Sequence, residues 1–226
     1  MSKTTQTKVR QAWKNYAPSR GDTENHWALY YASLLLAAEQ WPDEPGEQWF
    51  DGLSSTEKHR EATAYLEHWI RLTTSKGQGE FDSPDYLQMF IIASTLLTEF
   101  AQDPAMRKRG EMLTDYFLAD FAVEHLNQEY AGGYSRIYER NLLASGRSGS
   151  TAIAHFYFGQ GEPRRNGWIL FPLLTSYRLP QIILDIANDR SQSYIHRETK
   201  RVRNVIRYGS ERNPPVYKTT YMAKNY

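Results

Sequence analysis

Apolar residues recur at spacings of three and four through much of this chain, and that period strongly limits the regular structure it can form. From Glu24 to Gln40 one stripe contains Trp27, Tyr30, Tyr31, Leu34, Leu35 and Ala38. Residues three and four apart share one face of an α-helix, whereas a half-buried strand would need strict alternation. The pattern therefore predicts an amphipathic helix whose apolar stripe packs against other helices.

Further helices are marked by their start signals, which combine a capping side chain with a favourable neighbour. These signals are Ser54 with Glu57, Ser83–Pro84 and Asp103–Pro104. The last helix is predicted to run to about Leu126, and two shorter stretches follow near residues 152–158 and 168–187. Polar loops between them predict an all-α fold of antiparallel helical hairpins over residues 23–189, preceded by a polar segment or helix at 1–22.

The composition narrows the classes of partner. The 226 residues include 27 Lys or Arg and 26 Asp or Glu, so no net field attracts nucleic acid or an anionic membrane. The longest apolar stretch, near residues 34–38, is far too short to span a bilayer. There is no cysteine, which excludes disulfides and thiolate metal sites. Because residues 1–20 contain no secretory signal, the chain as written is predicted to be cytoplasmic, or secreted or periplasmic if it is a fragment.

The last segment, residues 190–226, has a different character. Its basic residues include Arg190, Arg197, Lys200, Arg201, Arg203 and Arg207. Pro214–Pro215 then precede Val216–Tyr221, which alternate like a strand. Because a lone strand is not stable, this segment either pairs with a partner or begins a missing β domain. The basic run could also contact nucleic acid, but a solvated face fits the near-zero net charge better.

The first cluster that could carry chemistry is the helix start Glu24-Asn25-His26-Trp27. Backbone N–H groups and the helix dipole favour anions at such a position. His26 could act as a general base, Asn25 could donate to a carboxylate, and Trp27 offers an aromatic face to a sugar. The structural alternative is that Glu24 complements the dipole and His26 is a half-buried cap residue.

The second cluster places Glu80, Asp82 and Asp85 just before a predicted helix start, with Tyr86 following. Two carboxylates on opposite sides of a glycosidic bond can serve as acid and as base or nucleophile. Ordinary acidity at a helix N-terminus explains Asp85 well, but it explains Glu80 and Asp82 less well.

The third cluster is the loop that carries Tyr134, Arg136 and Tyr138, which alternation places on one side of an extended segment. An arginine between two tyrosines can stabilise a phenolate and lower the tyrosine pKa from about 10. The alternative is a cation–π ladder at the surface.

The remaining histidines carry weaker signals. His155 lies among aromatic residues and could join a sugar-binding cleft, and His125 lies near a helix end, where a cation interacts well with the dipole. No pair of histidines has a zinc spacing such as HExxH, so neither a metal nor a cofactor is predicted.

In order and character these motifs resemble the (α/α) toroid proteins related to heparinase-like polysaccharide lyases and six-hairpin glycosidases. The resemblance rests on three motifs and covers roughly residues 23–187. The motifs are the helix opening Glu24-Asn25-His26, the segment Gly79-Glu80-Phe81-Asp82-Ser83-Pro84 with Tyr86, and Gly132-Gly133 with Arg136 and Tyr138. It implies an incomplete (α/α) toroid with a sugar-binding groove at one rim, usually followed by a β-sandwich.

The resemblance also implies a polysaccharide or oligosaccharide substrate. In the lyase version Asn25 or His26 neutralises a uronate carboxylate, and Tyr134 or Tyr138, tuned by Arg136, is base and acid for β-elimination. The hydrolase version uses Glu24 with Glu80 or Asp82. A non-catalytic helical module that binds the same ligand is the third hypothesis.

Overall fold

Helices account for most of the chain in the computed structural model, which describes residues 1–16, 23–143, 146, 148–162, 167–201 and 215–224. The long helices are α1 (Lys3–Tyr16), α2 (Glu24–Gln40), α3 (Ser55–Lys76), α4 (Leu87–Phe100) and α5 (Pro104–Glu124). The short ones are α6 (Glu139–Leu143), α7 (Gly149–Phe158), α8 (Leu170–Leu173) and α9 (Gln181–Asn188). Two antiparallel strand pairs complete the described chain: β1 (His125–Leu126) with β2 (Glu129–Tyr130), and β3 (Tyr194–Lys200) with β4 (Val216–Met222). The prediction of a mostly helical fold with β structure at the C-terminus is confirmed.

Two of the three predicted start signals begin helices. Ser54 Oγ accepts a hydrogen bond from the backbone of Glu57, whose carboxylate accepts one from the Ser54 backbone at 2.8 Å. Asp103 caps α5 by accepting from the Ala105 backbone at 2.9 Å. The prediction at Ser83–Pro84 is wrong by several residues. These residues open a turn in which the Ser83 carbonyl accepts from the backbone amides of Tyr86 and Leu87, and α4 begins only at Leu87.

Helices α2 to α5 form two hairpins. The start of α3 returns to the end of α2, where Ser55 Oγ donates to the Trp41 carbonyl. Helices α4 and α5 are joined by residues 101–103, and α2 packs against α4. Buried rings of Trp69, Phe90 and Phe117 join α3, α4 and α5, with centroids 5.3–6.2 Å apart. The starts of α2 and α4 and the ends of α3 and α5 therefore lie at one end of the bundle. Within the described residues, no helix combines the length and the apolar character needed to cross a bilayer.

The predicted helical stretch at 168–187 is wrong as one element. Residues 167–169 form a 3₁₀ turn, α8 is a single turn, and α9 starts after Pro180. Pro180 explains the break, because the residue before a proline is driven out of the helical conformation and proline has no N–H to donate.

The strand predicted from Val216 finds its partner within the same chain. Strand β4 pairs with β3 from Tyr194 opposite Met222 to Lys200 opposite Val216. Part of the predicted basic tail is thus a strand, and Lys200 and Arg201 are buried. Arg203, Arg207 and Pro214 lie outside the described residues.

Candidate functional site

Most of the residues predicted to carry chemistry come together at the end of the bundle where α2 and α4 begin. The loop at residues 77–86, the loop at 131–138 and the inner side of the β3–β4 hairpin meet there. Two glycines allow the close approach. A Cβ on Gly77, which has a φ of +78°, would lie 2.2 Å from the Thr199 carbonyl oxygen, and one on Gly132, with a φ of +90°, would lie 2.9 Å from Thr220 Oγ1.

Glu24 is a buried junction at this end. One carboxylate oxygen accepts from Trp69 Nε1 at 2.8 Å and from Arg201. The other accepts from the backbone N–H groups of Gly79 and Glu80 at 2.5 and 2.9 Å. With both oxygens engaged and only 5% of its surface exposed, Glu24 fastens α2, α3, the 77–86 loop and the end of β3 together.

Glu80 is buried beside Glu24 and is held by the start of α2. Its Oε2 accepts from both the backbone and the side-chain amide of Asn25, at 2.8 and 2.5 Å. Its Oε1 accepts from Arg136 Nη1 at 3.1 Å. The prediction that anions are favoured at this helix start is thus met by a carboxylate of the chain itself. Asn25 also donates to Thr23 Oγ1 and is 1% exposed, so it is not placed to neutralise a substrate carboxylate.

Arg136 connects this buried carboxylate to the surface. Its Nη2 donates to Tyr138 Oη at 2.7 Å, and Tyr138 Oη lies 2.5 Å from Tyr86 Oη. The guanidinium lies over the Tyr86 ring, 4.5 Å from its centroid, and is itself 23% exposed. We call Tyr86, Arg136 and Tyr138 the Tyr–Arg site. Beside it, Arg140 pairs with Asp85 at 3.1 Å and lies over the Tyr138 ring.

The pKa values correct one expectation about these tyrosines. Burial, reinforced by the hydrogen bond with Tyr138, holds the pKa of Tyr86 above its ordinary value despite the nearby Arg136. Burial also raises the pKa of Tyr134, whose hydroxyl donates to the Tyr130 carbonyl at 2.6 Å. The prediction that Arg136 tunes Tyr134 to a lower pKa is therefore wrong, because Tyr134 is partly buried and bonded elsewhere. Arg136 keeps its charge: burial disfavours it, but the Glu80 hydrogen bond raises its pKa.

Three other predicted site residues make contacts outside the Tyr–Arg site. His26 Nδ1 lies 3.2 Å from Thr23 Oγ1, and the His26 side chain is partly exposed. Trp27 stacks with Tyr31 and Tyr65, at centroid distances of 5.6 and 5.7 Å, along the α2–α3 contact. His155 lies on α7, where its Nδ1 is 3.0 Å from the Gly161 carbonyl oxygen.

Asp82 belongs to a second network, which the sequence did not reveal. Four carboxylates surround two buried lysines under the β3–β4 hairpin; we call these residues the ionic cluster. Its members are Asp82, Asp120, Glu124, Glu198, Lys200 and Lys218. Asp82 is fully buried, so its predicted role in substrate binding gives way to ion pairs with both lysines. The alternation of β4 does place Lys218 on the same face of the strand as Met222, which indicates that this face is buried. Because lysine is rarely buried, hydropathy alone would still assign Lys218 to the surface.

Burial dominates the titration of the ionic cluster. It raises the pKa of Asp82 and of Asp120 to about 6 and raises that of Glu124, although both lysines oppose the shift at Asp82. Burial would also raise the pKa of Glu198, but His196 and Lys200 hold it well below its usual range. The cluster is thus a set of carboxylates that compete for too few cations.

Comparisons of the chain with protein-family models, curated proteins and solved structures find no match. Function must therefore be inferred from the geometry of the Tyr–Arg site and its surroundings.

Proposed function

We propose that this chain is a carbohydrate-active protein that acts on acidic polysaccharides by β-elimination at the Tyr–Arg site. The observation that carries the proposal is the hydrogen-bonded series Glu80–Arg136–Tyr138–Tyr86, which runs from a fully buried carboxylate to two partly exposed phenols. Glu80 fixes one edge of the guanidinium. Arg136 is thereby held beside the tyrosines with further N–H groups for a sugar carboxylate.

The two hydroxyls can divide the proton transfers between them. Arg136 and Tyr86 can both donate to Tyr138 Oη, and donors to a phenolic oxygen stabilise negative charge there. In its phenolate form Tyr138 takes the proton from C5 of the uronate, while Arg136 stabilises the negative charge that develops on the sugar carboxylate. Tyr86, whose raised pKa keeps it protonated, gives its proton to the departing glycosidic oxygen. The C4–O bond breaks and a C4–C5 double bond forms.

The same contact resets the site. After the reaction Tyr138 carries the C5 proton and Tyr86 is a phenolate. The 2.5 Å between their oxygens lets the proton return from Tyr138 to Tyr86. Both residues thus recover their starting forms without another protein group.

The hydrolase hypothesis fits this geometry less well. An acid and a base or nucleophile must reach opposite sides of a glycosidic bond. Glu24 and Glu80 are buried, and the oxygens of each are engaged by protein donors. These contacts favour a structural role for the two glutamates over a catalytic one.

The resemblance to (α/α) toroids gives the proposal its substrate class, and the two helical hairpins support it. A toroid of this kind is built from paired antiparallel helices, the arrangement in which α2–α3 and α4–α5 lie, and the Tyr–Arg site lies at one end of both pairs. We extend the proposal to the fold: the described hairpins are part of such a toroid.

The test is elimination from a panel of uronate-containing polysaccharides, followed by the ultraviolet absorbance of the unsaturated product. We expect Tyr138→Phe to lower the rate by about 10²–10⁴-fold, because it removes the proton acceptor but keeps the ring. Tyr217→Phe is the matched control, since Tyr217 is 80% exposed on the outer face of β4. Oligouronate binding, measured by calorimetry, should be similar in all three proteins.

Two results would refute the proposal as stated. One is equal turnover by Tyr138→Phe and wild type, which would remove Tyr138 as the proton acceptor. The other is oligouronate binding that depends on Arg136, shown with Arg136→Gln, without unsaturated product from any substrate on the panel; this would establish the binding-module hypothesis instead.

A further inference from the structure

The ionic cluster carries more negative than positive charge in a place that excludes most solvent. Its four carboxylates face two ammonium groups, those of Lys200 and Lys218, and the imidazole of His196, whose Nε2 lies 3.7 Å from Glu198. With a neutral imidazole, the form that can bind a metal, two negative charges are unmatched when all four carboxylates are ionised. Uncompensated buried charge is costly, and proteins relieve it by protonation, pairing or metal binding. A divalent cation would balance this deficit.

Residues at one edge of the cluster are close enough together to bind such an ion. Glu124, His196 and Glu198 each offer one ligand atom, and these atoms all lie within 4.8 Å of one another. The three residues come from the end of α5 and from β3, so the β3–β4 hairpin brings them together. His196 is a quarter exposed, which leaves a route of entry.

A second observation points to a ligand at the same place. Glu124 is fully buried, yet its Oε1 accepts no hydrogen bond within the described chain. Thr220 lies near Glu124, and its hydroxyl likewise has no hydrogen-bond partner among the described residues. Lys218 pairs with the other oxygen, Oε2, so the carboxylate can hold the ammonium on one side and an ion on the other. Buried acceptors without donors are rare and call for an explanation.

We propose that Glu124, His196 and Glu198 bind a divalent first-row transition ion of the zinc or manganese class. One imidazole with two carboxylates suits these ions, whereas an all-oxygen set would suit magnesium or calcium. The bound ion joins α5 to β3 and supplies the positive charge that the two lysines leave missing. This metal site goes beyond the proposed elimination reaction and does not depend on it.

The experiment is calorimetric titration of the chelator-treated full chain with ZnCl₂, MnCl₂ and MgCl₂. We expect one Zn²⁺ or Mn²⁺ per chain, bound at least about tenfold more tightly than Mg²⁺. His196→Gln should weaken the binding of Zn²⁺ by about tenfold or more, because it removes the only nitrogen ligand. His68→Gln is the control, since His68 lies on α3 and contacts Arg71. Neither variant is in the Tyr–Arg site, so elimination activity is read separately.

The proposal is overturned if wild type binds no transition ion, or if His196→Gln and His68→Gln bind Zn²⁺ as wild type does. Should His196→Gln lose its helical circular dichroism, paramagnetic Mn²⁺ decides the question in wild type. Selective broadening of the amide resonances of Glu124, His196 and Glu198 supports the site, and broadening elsewhere refutes it.

Discussion

His125 should make the stability of this protein depend on pH in a calculable way. The side chain is 2% exposed, lies between Phe121 and Phe158 at ring distances of 5.5 and 5.3 Å, and has Nε2 2.7 Å from the Ala187 carbonyl oxygen. Because a carbonyl can only accept, Nε2 carries the proton in the neutral ring. Nδ1 has no partner in the described chain, so a second proton there would be buried without an acceptor.

The magnitude follows from the shift in pKa. Burial lowers the pKa of His125 to about 4, against an ordinary value of about 6.5 in the unfolded chain. Between these values the unfolded chain binds a proton that the folded chain refuses, so the free energy of unfolding falls as the pH is lowered. At about 1.4 kcal/mol per pKa unit, protonation of His125 should lower the free energy of unfolding of the protein by about 3 kcal/mol between pH 7.5 and pH 4.

The assay is urea unfolding of wild type and His125→Gln across that range. Glutamine can still donate to the Ala187 carbonyl and does not titrate. The two proteins share every other titrating group, including Asp82 and Asp120, whose raised pKa values stabilise the fold at lower pH and would otherwise oppose the trend. The advantage of wild type over the variant should therefore shrink by about 3 kcal/mol from pH 7.5 to pH 4. A difference that stays constant with pH would refute the reasoning.

Two further predictions concern how the hairpin is held on the bundle. Gly77→Ala should lower the free energy of unfolding by more than about 1 kcal/mol, because the new Cβ would meet a backbone oxygen of β3 at a positive φ; Gly133→Ala, where nothing lies within 4 Å, is the control in the same denaturation assay. Lys200→Met should cost about 3–5 kcal/mol by the same measurement, since it leaves Asp82 and Asp120 buried with one ammonium fewer, and a cost below about 1 kcal/mol would contradict the ion-pair account.

Local signals sufficed for α2 and α3. The apolar stripe of α2 and the capping box before α3 depend on residues within one or two turns, so periodicity and capping chemistry were enough to locate them. His125 shows the limit of such signals. Its place near a helix end suggested a cation that interacts with the dipole, but aromatic residues from α5 and α7 enclose it and favour the neutral ring.

The ionic cluster could not be predicted because its contacts join distant parts of the chain. Lys218 reaches Asp82 and Glu124 over separations of 136 and 94 residues, and Lys200 reaches Asp120 over 80. In sequence these lysines resemble solvated strand residues, and only the docking of the hairpin on the bundle buries them. The Tyr–Arg site was anticipated in part: Glu80, Arg136, Tyr138 and Tyr86 do converge, but the loop geometry that directs Tyr134 to Tyr130 has no sequence signature.

The acidic segment before α4, which contains Glu80 and Asp82, links the Tyr–Arg site to the ionic cluster. Its carboxylates pair with side chains of both networks, and these contacts explain their presence better than helix capping or catalysis does. Glu80 turns toward Asn25 and Arg136, whereas Asp82, two residues later, turns toward Lys200 and Lys218. Asp82 adopts a φ of +53°, a conformation that costs a non-glycine residue free energy and persists only where surrounding contacts enforce it. Its buried ion pairs provide that enforcement. The turn that they fix leads within four residues to Tyr86, so one short stretch of backbone connects the ionic cluster to the Tyr–Arg site.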